Sequence, residues 1–296
     1  MREGFKVDYP SMHYERTGSV MIFHGAARDY GPGGNRDKTG GNVAEDKIEI
    51  VSLDESSLGS GDVVCVRGAE NKEGIDLKKA WLRDRFREGL KFKKLVVNDR
   101  SWGFIEYLPA ESAWRPVDAP GYLFIDCIWV IGRQKGKGYG KRLLDECVKD
   151  AQGMNGVCVA VSDKPFMVKE DLFIDNGFEI CDTAPPAYQL MVRKMKDAPS
   201  PKFTERAKMA AIDGEDGLLI IYSDQCPYTA KFMAGMIEGA KELGVPVKTM
   251  KITDPVRARE MPFVYGTCGV FYGGKLLAHG IMTRKEFVKV LTTAMK

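Results

Sequence analysis

The 296-residue chain is 44% hydrophobic and 29% charged, a balance that excludes both a disordered and a fibrous protein. Its 44 Lys and Arg against 41 Asp and Glu leave a net charge of +3, too small for nucleic-acid binding to follow from composition, and no apolar run reaches the roughly 18–20 residues that span a bilayer. The opening residues lack the apolar core of a secretory signal, so the seven cysteines are expected in a reducing cytoplasm; they contain no Cys-x-x-Cys pair and only three histidines accompany them, so no metal site is expected.

Residues 1–46 show little periodic apolar pattern and read as a flexible N-terminal extension, with 30–42 glycine-rich. Strands are expected at 48–53 and 62–66. Leu77, Trp81, Leu82 and Phe86 recur at helical spacing and predict a helix over 76–90. Three strand-like runs at 94–97, 102–108 and 121–130 predict an antiparallel meander. A glycine-rich loop then leads into a helix at 141–151, with Leu143, Leu144, Cys147 and Val148 on one face. A strand at 156–162, a helix at 169–175, the turn Asn176-Gly177-Phe178 and a strand at 188–192 complete an α/β domain over 47–197. The proline-bearing polar stretch 198–216 reads as a linker. Beyond it, a strand at 218–222, a helix at 229–243, a strand at 246–252, a strand pair across 270–277 and a helix at 284–295 form a second α/β domain over 217–296.

The densest signal is Val130-Ile-Gly-Arg-Gln-Lys-Gly-Lys-Gly-Tyr-Gly-Lys-Arg-Leu-Leu144. Glycines at alternate positions let backbone approach a ligand closely, and the helix that follows presents unpaired N–H groups and a positive dipole end, which suits a diphosphate. Arg133, Lys135, Lys137, Lys141 and Arg142 concentrate positive charge there. A Walker loop fails because Gly140-Lys141 is followed by Arg142, and GxGxxG fails because its final glycine is missing.

Between a strand and a helix, Lys135-Gly-Lys-Gly138-Tyr-Gly140 resembles the acyl-CoA loop of the GNAT acetyltransferase superfamily, Gln/Arg-x-x-Gly-x-Gly/Ala. Lys135 departs from that pattern, whereas Arg133-Gln-Lys-Gly136-Lys-Gly138 matches it two residues earlier. The later Leu172-Phe-Ile-Asp-Asn-Gly-Phe178 also fits the family, and the resemblance covers roughly residues 48–195. It implies a mixed, mostly antiparallel sheet with flanking helices, and acetyl-CoA as co-substrate held between two splayed parallel strands. Main-chain groups of Ile128, Trp129 and Val130 would hold pantetheine, and N–H groups of Lys135, Gly136, Lys137, Gly138, Tyr139, Gly140 and Lys141 the diphosphate.

An attacking amine must lose a proton, which calls for a carboxylate. Asp126 is the first candidate, in the central strand and on one face with Phe124 and Ile128; Glu106 is the second and Glu111 the third. Cys127, next in the strand, is expected on the opposite face. Trp81, Trp102, Trp114 and Tyr107 are candidates to wall an acceptor pocket, although core packing is the role expected of most of them. Many family members protonate the leaving thiolate with a Tyr where this chain has Phe173, so that proton must come from water or another tyrosine such as Tyr139 or Tyr188, or turnover is slow.

In the second domain, Ile221-Tyr-Ser-Asp-Gln-Cys-Pro-Tyr-Thr229 resembles the glutaredoxin and thioredoxin active-site entry with its second cysteine replaced by Thr229. Cys226 opens a helix, which lowers a thiol pKa, and is the candidate redox thiol, with Cys268 as a resolving partner. The whole resembles the bacterial YoaP-type arrangement, a GNAT domain followed by a small thioredoxin-like domain. The reading it implies is an N-acetyltransferase acting on a small-molecule amine, with Asp126 or Glu106 taking the proton. The alternative is a monothiol redox or binding protein that uses Cys226 on a CoA-binding scaffold, or a second domain that docks a protein partner.

Overall fold

A computed structural model describes residues 46–59, 62–63, 65–66, 69–132, 136–164 and 167–296, so the expectations for residues 1–45 and for Lys135 lie outside the described residues. A seven-stranded sheet runs in the order β1 (Ile48–Leu53), β2 (Lys91–Val97), β3 (Arg100–Pro109), β5 (Tyr122–Val130), β6 (Gly156–Ser162), β8 (Tyr188–Lys194), β7 (Glu179–Ala184). Every neighbouring pair is antiparallel except β5 and β6. β5 and β6 are almost continuously apolar because both faces of the sheet are covered there. Leu143, Leu144 and Cys147 of α2 (Tyr139–Asp150) pack on one face against Leu123, Ile125, Ile128 and Val130. The opposite face takes Trp81 and Leu82 of α1 (Lys72–Arg87) against Phe92, Phe104 and Phe124.

A short strand, β4 (Val117–Asp118), pairs with β9 (Lys202–Phe203), and α4 (Glu205–Met209) follows, N-capped by Thr204, so the 198–216 segment is ordered along the molecule. A second sheet then runs β11 (Val247–Lys251), β10 (Leu218–Tyr222), β12 (Cys268–Tyr272), β13 (Lys275–His279), with β10 parallel to β11 and antiparallel to β12. α5 (Thr229–Glu242) packs against α7 (Arg284–Ala294), whose start is fixed by a reciprocal Thr283–Glu286 capping box. Asp254 caps the short α6 (Pro255–Arg259) with proline at its first turn. α3 (Asp171–Ile174) sits between β6 and β7.

Two expectations need correction, and one strand of the seven-stranded sheet was not expected at all. No strand forms among the described residues of 62–66. The first helix begins at Lys72 and ends at Arg87, and its buried stripe is Gly74, Lys78, Trp81, Leu82 and Arg85, so two cations sit inside while Leu77 and Phe86 are only half-buried. Both cations are paid for by specific partners: Lys78 Nζ reaches Glu106 and lies 4.3 Å from the Trp81 ring, and the Arg85 guanidinium lies 4.6 Å from the Trp114 ring. The edge strand β7, with the polar sequence EICDTA, gave no apolar pattern to read.

The two sheets share one core, in which Trp81, Phe104 and Phe124 are continuous with Leu218, Met233 and Phe271. They approach closely at Gly74, where a Cβ would overlap the Pro227 carbonyl oxygen. Gly74→Ala is therefore expected to pry α1 from the loop that follows β10, lowering the melting temperature by about 5 °C through overpacking of about 1–3 kcal/mol. Calorimetry checks this, and an unchanged melt would show that the contact yields freely.

Candidate active site

The β5–β6 pairing stops at Ile125 and Val159, although β5 continues to Val130 and β6 to Ser162. Beyond that point the two parallel strands separate, and a cavity of about 100 Å3 lies at the divergence. Its floor is the sheet, through Phe104, Glu106, Asp126, Cys127 and Trp129, and Lys78 enters from α1. The opposite wall comes from the second sheet: Gln225, Cys226, Pro227 and Tyr228 from the loop after β10, with Tyr265 and Thr267 ahead of β12.

A bulge builds the floor. Glu106 pairs with Cys127 but Tyr107 pairs with Ile125, so Asp126 is an extra residue in β5. The added residue resets the alternation. Phe124, Cys127 and Trp129 belong to the core beneath α1, while Ile125 and Ile128 belong to the core beneath α2. With Asp126 as the extra residue, Asp126 and Cys127 fall on the α1 side and Ile128 on the α2 side, which corrects the expected opposition of Cys127 and the expected shared face of Asp126 and Ile128.

Asp126 has a fully buried side chain with no hydrogen bond shorter than 3.5 Å on either oxygen among the described residues; Arg115 Nη1 forms a long ion pair with Oδ1 at 3.9 Å, and the Gln225 amide stands near enough to favour the ionised form. Burial pushes this carboxyl up to about 7, the Arg115 charge offsetting only part of the desolvation. Glu106 is differently placed. Lys78 Nζ donates to its Oε2 at 2.6 Å and Gln225 Nε2 to its Oε1 at 3.4 Å, both within the buried interior. Gln225 Oε1 in turn accepts from Arg115 Nη1 at 2.6 Å, so an amide of the second sheet bridges a cation and a carboxylate of the first. Breaking the Lys78–Glu106 pair by Lys78→Met would strand a buried carboxylate and is expected to cost about 3–5 kcal/mol, read as a lowered denaturant midpoint that Glu106→Gln in the same chain largely restores.

Beyond the cavity, Gly136 and Gly138 take left-handed φ of +77° and +73° with nothing within 4 Å of a Cβ position. Gly138 caps α2 without a side chain, and the first helical hydrogen bond runs from the Arg142 N–H to the Gly138 carbonyl at 3.0 Å. The N–H groups of Tyr139, Gly140 and Lys141 therefore point out of the helix start with no side-chain cap among the described residues. This bare, glycine-lined helix end fits a diphosphate, and the unpaired edge of β5 through Ile128, Trp129 and Val130 fits an extended amide-bearing arm. Gly140 is the exception within the run, because a Cβ there would point at Leu172, 3.4 Å away, instead of into open space, and Tyr139 is buried in the core. Lys137 is exposed, and Lys141 pairs with Asp145 at 2.7 Å on the surface.

The remaining candidates fall away from the cavity. Glu111 is exposed and closes a turn by accepting the Gly121 N–H at 2.7 Å. Trp81 and Trp114 pack edge-to-face at 5.3 Å, Trp102 donates to the Val97 carbonyl, and Tyr107 donates to Asp150, so these aromatics take the core role expected of most of them. Phe173 is fully buried against Phe178, and Tyr188 is engaged with His279 of β13. Cys226 does line the cavity, but burial raises its thiol pKa, outweighing the Tyr228 N–H at the helix entry, which corrects the expected lowering. Burial likewise raises Cys127, and Cys268 is pushed up to about 12. Sequence reasoning missed Lys78 and Arg115, which have no motif around them, and Gln225, which stands next to Cys226 inside the motif but was overshadowed by the thiol.

Residues 64–165 match the model of the acetyltransferase (GNAT) family. The chain is 35% identical over 253 residues to the uncharacterized N-acetyltransferase YoaP of Bacillus subtilis (strain 168), an alignment covering 82% of this chain and 98% of that protein. The chain belongs to the GNAT acetyltransferase family and is an acyltransferase. Similar solved structures include the PaiA N-acetyltransferase of Thermoplasma acidophilum in complex with coenzyme A, at 17% identity over 50% of this chain and 99% of that one, TM-score 0.35. An aminoglycoside 6'-acetyltransferase type Ii matches at 15% identity over 51% and 99%, TM-score 0.39. No helix among the described residues is long and apolar enough to cross a membrane.

Proposed function

We propose that this protein is an acetyl-CoA-dependent N-acetyltransferase that acetylates a primary amine of a small molecule inside the cavity between the two sheets, with Asp126 accepting the amine proton. The observation that carries this reading is the buried Asp126 carboxylate, without a close hydrogen bond among the described residues, at the bulge where β5 and β6 part. Acetyl-CoA supplies the activated acyl group when bound. The residues of this chain do the rest: N–H groups at the start of α2 hold phosphate oxygens, the free edge of β5 orients the arm, and the aromatic walls exclude water. The amine nitrogen bonds to the acyl carbon as the carbon–sulfur bond breaks, and the N–H proton passes to Asp126. A carboxyl poised near 7 is ionised often enough to act as a base and is basic enough to take that proton. Glu106, committed to Lys78 and Gln225, orients the floor. The leaving thiolate takes its proton from water, since Phe173 has no hydroxyl to offer.

We read residues 217–296 as a thioredoxin-like unit; the order β11-β10-β12-β13, with β10 and β11 parallel, supports that reading. In it the Cys226 loop faces the acetyltransferase cavity instead of solvent. The reading is tested by thiol release from acetyl-CoA against a panel of small amines, with the acetylated product identified by mass spectrometry. Acetylation that requires a primary amine supports it, and acyl transfer only to thiols would oppose it. The monothiol alternative makes a different prediction. Because burial raises Cys226, iodoacetamide at pH 7.5 is expected to label it at least about tenfold more slowly than a free cysteine. Rapid selective labelling would favour thiol chemistry.

A further inference from the structure

We propose that the acceptor is a compact zwitterion, one ammonium and one carboxylate on a small apolar frame, and that Arg115 reads its carboxylate while Gln225 holds Arg115 in place. The proposal rests on the N-acetyltransferase reading and names the substrate class of that same cavity.

Four ionisable side chains of opposite sign, Lys78, Glu106, Arg115 and Asp126, line the chamber. Lys78 and Glu106 spend their charges on each other at 2.6 Å. What remains is one carboxylate and one guanidinium. Asp126 has no hydrogen bond within 3.5 Å on either oxygen among the described residues, and its neighbours there are the long ion pair with Arg115 and the Gln225 amide. Arg115 uses Nη1 on the Trp114 carbonyl and Gln225 Oε1, and no hydrogen bond among the described residues engages its Nε or Nη2. At 3.9 Å the two groups are too far apart to be hydrogen-bonded to each other. A ligand that brings one ammonium and one carboxylate satisfies both and adds no net charge to a buried space. A simple amine leaves the guanidinium unanswered, and a diamine brings a second positive charge with only one open carboxylate; each carries a desolvation cost. The planar guanidinium is also the side chain best shaped for a carboxylate.

The rest of the chamber defines the frame. Phe104, Phe124, Trp129, Met167 and Tyr265 make most of its wall apolar, which suits a small apolar frame between the charged groups. A neutral apolar amino acid has this chemistry. Gln225 is a positioning residue: its amide accepts from Arg115 and donates to Glu106, fixing the guanidinium in one orientation. Because Gln225, Tyr265 and Thr267 all belong to the second sheet's unit, that unit takes part in choosing the acceptor, a role that needs no thiol turnover.

The test uses the full chain at saturating acetyl-CoA and compares kcat/KM for L-leucine and L-methionine with isoamylamine and L-leucine amide. The zwitterions are expected to exceed the carboxylate-free amines by about tenfold or more. Arg115→Met should collapse that ratio toward one, and Gln225→Ala should raise KM for the zwitterion more than it lowers kcat. Equal or faster turnover of the carboxylate-free amines overturns the proposal. So does failure to acetylate either amino acid when a melt shows that acetyl-CoA stabilises the protein. No stabilisation by acetyl-CoA points instead to failure of the transferase reading. Should Arg115→Met not fold, the wild-type ratio and Gln225→Ala decide.

Discussion

Asp126→Asn is expected to lose about 10²–10³-fold in kcat/KM for the amine while keeping its stabilisation by acetyl-CoA, and at pH 8.5 to melt several degrees higher than the parent. The two halves of this result share one cause. Burial holds the folded Asp126 carboxyl up to about 7, against an ordinary value of 3.8 in the unfolded chain. The folded state therefore keeps its proton where the unfolded state has released it. The stability this contributes is fully present below about pH 4 and is lost as pH rises through about 7. A difference of about three pKa units corresponds to roughly 4 kcal/mol as an upper figure, or several degrees for a chain of this size. Asparagine cannot ionise and escapes that loss, so its advantage should grow between pH 5 and pH 8.5. In activity the sign reverses, because the base form exists only above its pKa. The parent's kcat/KM should climb through pH 7 to a plateau, and the variant should lack that limb. A variant with parental activity at all pH values would remove Asp126 from the chemistry.

Gly138→Glu is expected to abolish stabilisation by acetyl-CoA and raise its KM by at least about a hundredfold. Gly138 sits at φ +73°, where a side chain is strained by about 1–2 kcal/mol, and it caps α2. Space around it is open, so the substitution has room in the folded protein and does its damage at the ligand. The new carboxylate would stand where phosphate oxygens approach, turning a positive helix end into a repulsive one. Gly138→Ala separates the two contributions, since it carries the backbone strain without the charge. Its KM should rise only modestly. Equal losses in both variants would assign the effect to the backbone alone.

Much of this was legible in the residues. The apolar runs of β5 and β6, the Leu143–Leu144 face of α2 and the capped helices of the second unit follow from periodicity and cap chemistry, and the glycine run marks the start of α2. Asp126 and Glu106 stood out as carboxylates in apolar strands. The bulge did not, because Phe-Ile-Asp-Cys-Ile-Trp alternates no differently when one residue is extra, and the error in Cys127's face followed directly. Nothing in the sequence marked Lys78 and Arg85 for burial, because that burial depends on Glu106 and on the Trp114 ring, 28 and 29 residues further along the chain. Arg115 and Gln225 are 110 residues apart and meet only because the second sheet packs over the first. Cys226 carried a motif whose usual consequence depends on solvent access, and the packing that reduces that access is tertiary.

The most direct test of the account is a thermal melt of the purified protein with excess acetyl-CoA, free CoA, or NADH as a control dinucleotide. At about 100 times its dissociation constant a ligand stabilises the fold by roughly 2.7 kcal/mol, a shift of about 5–10 °C here. Stabilisation by both CoA species and not by NADH is the predicted result; no shift with either CoA species, or an equal shift with NADH, would contradict the assignment of the α2 start and the β5 edge as an acyl-CoA site.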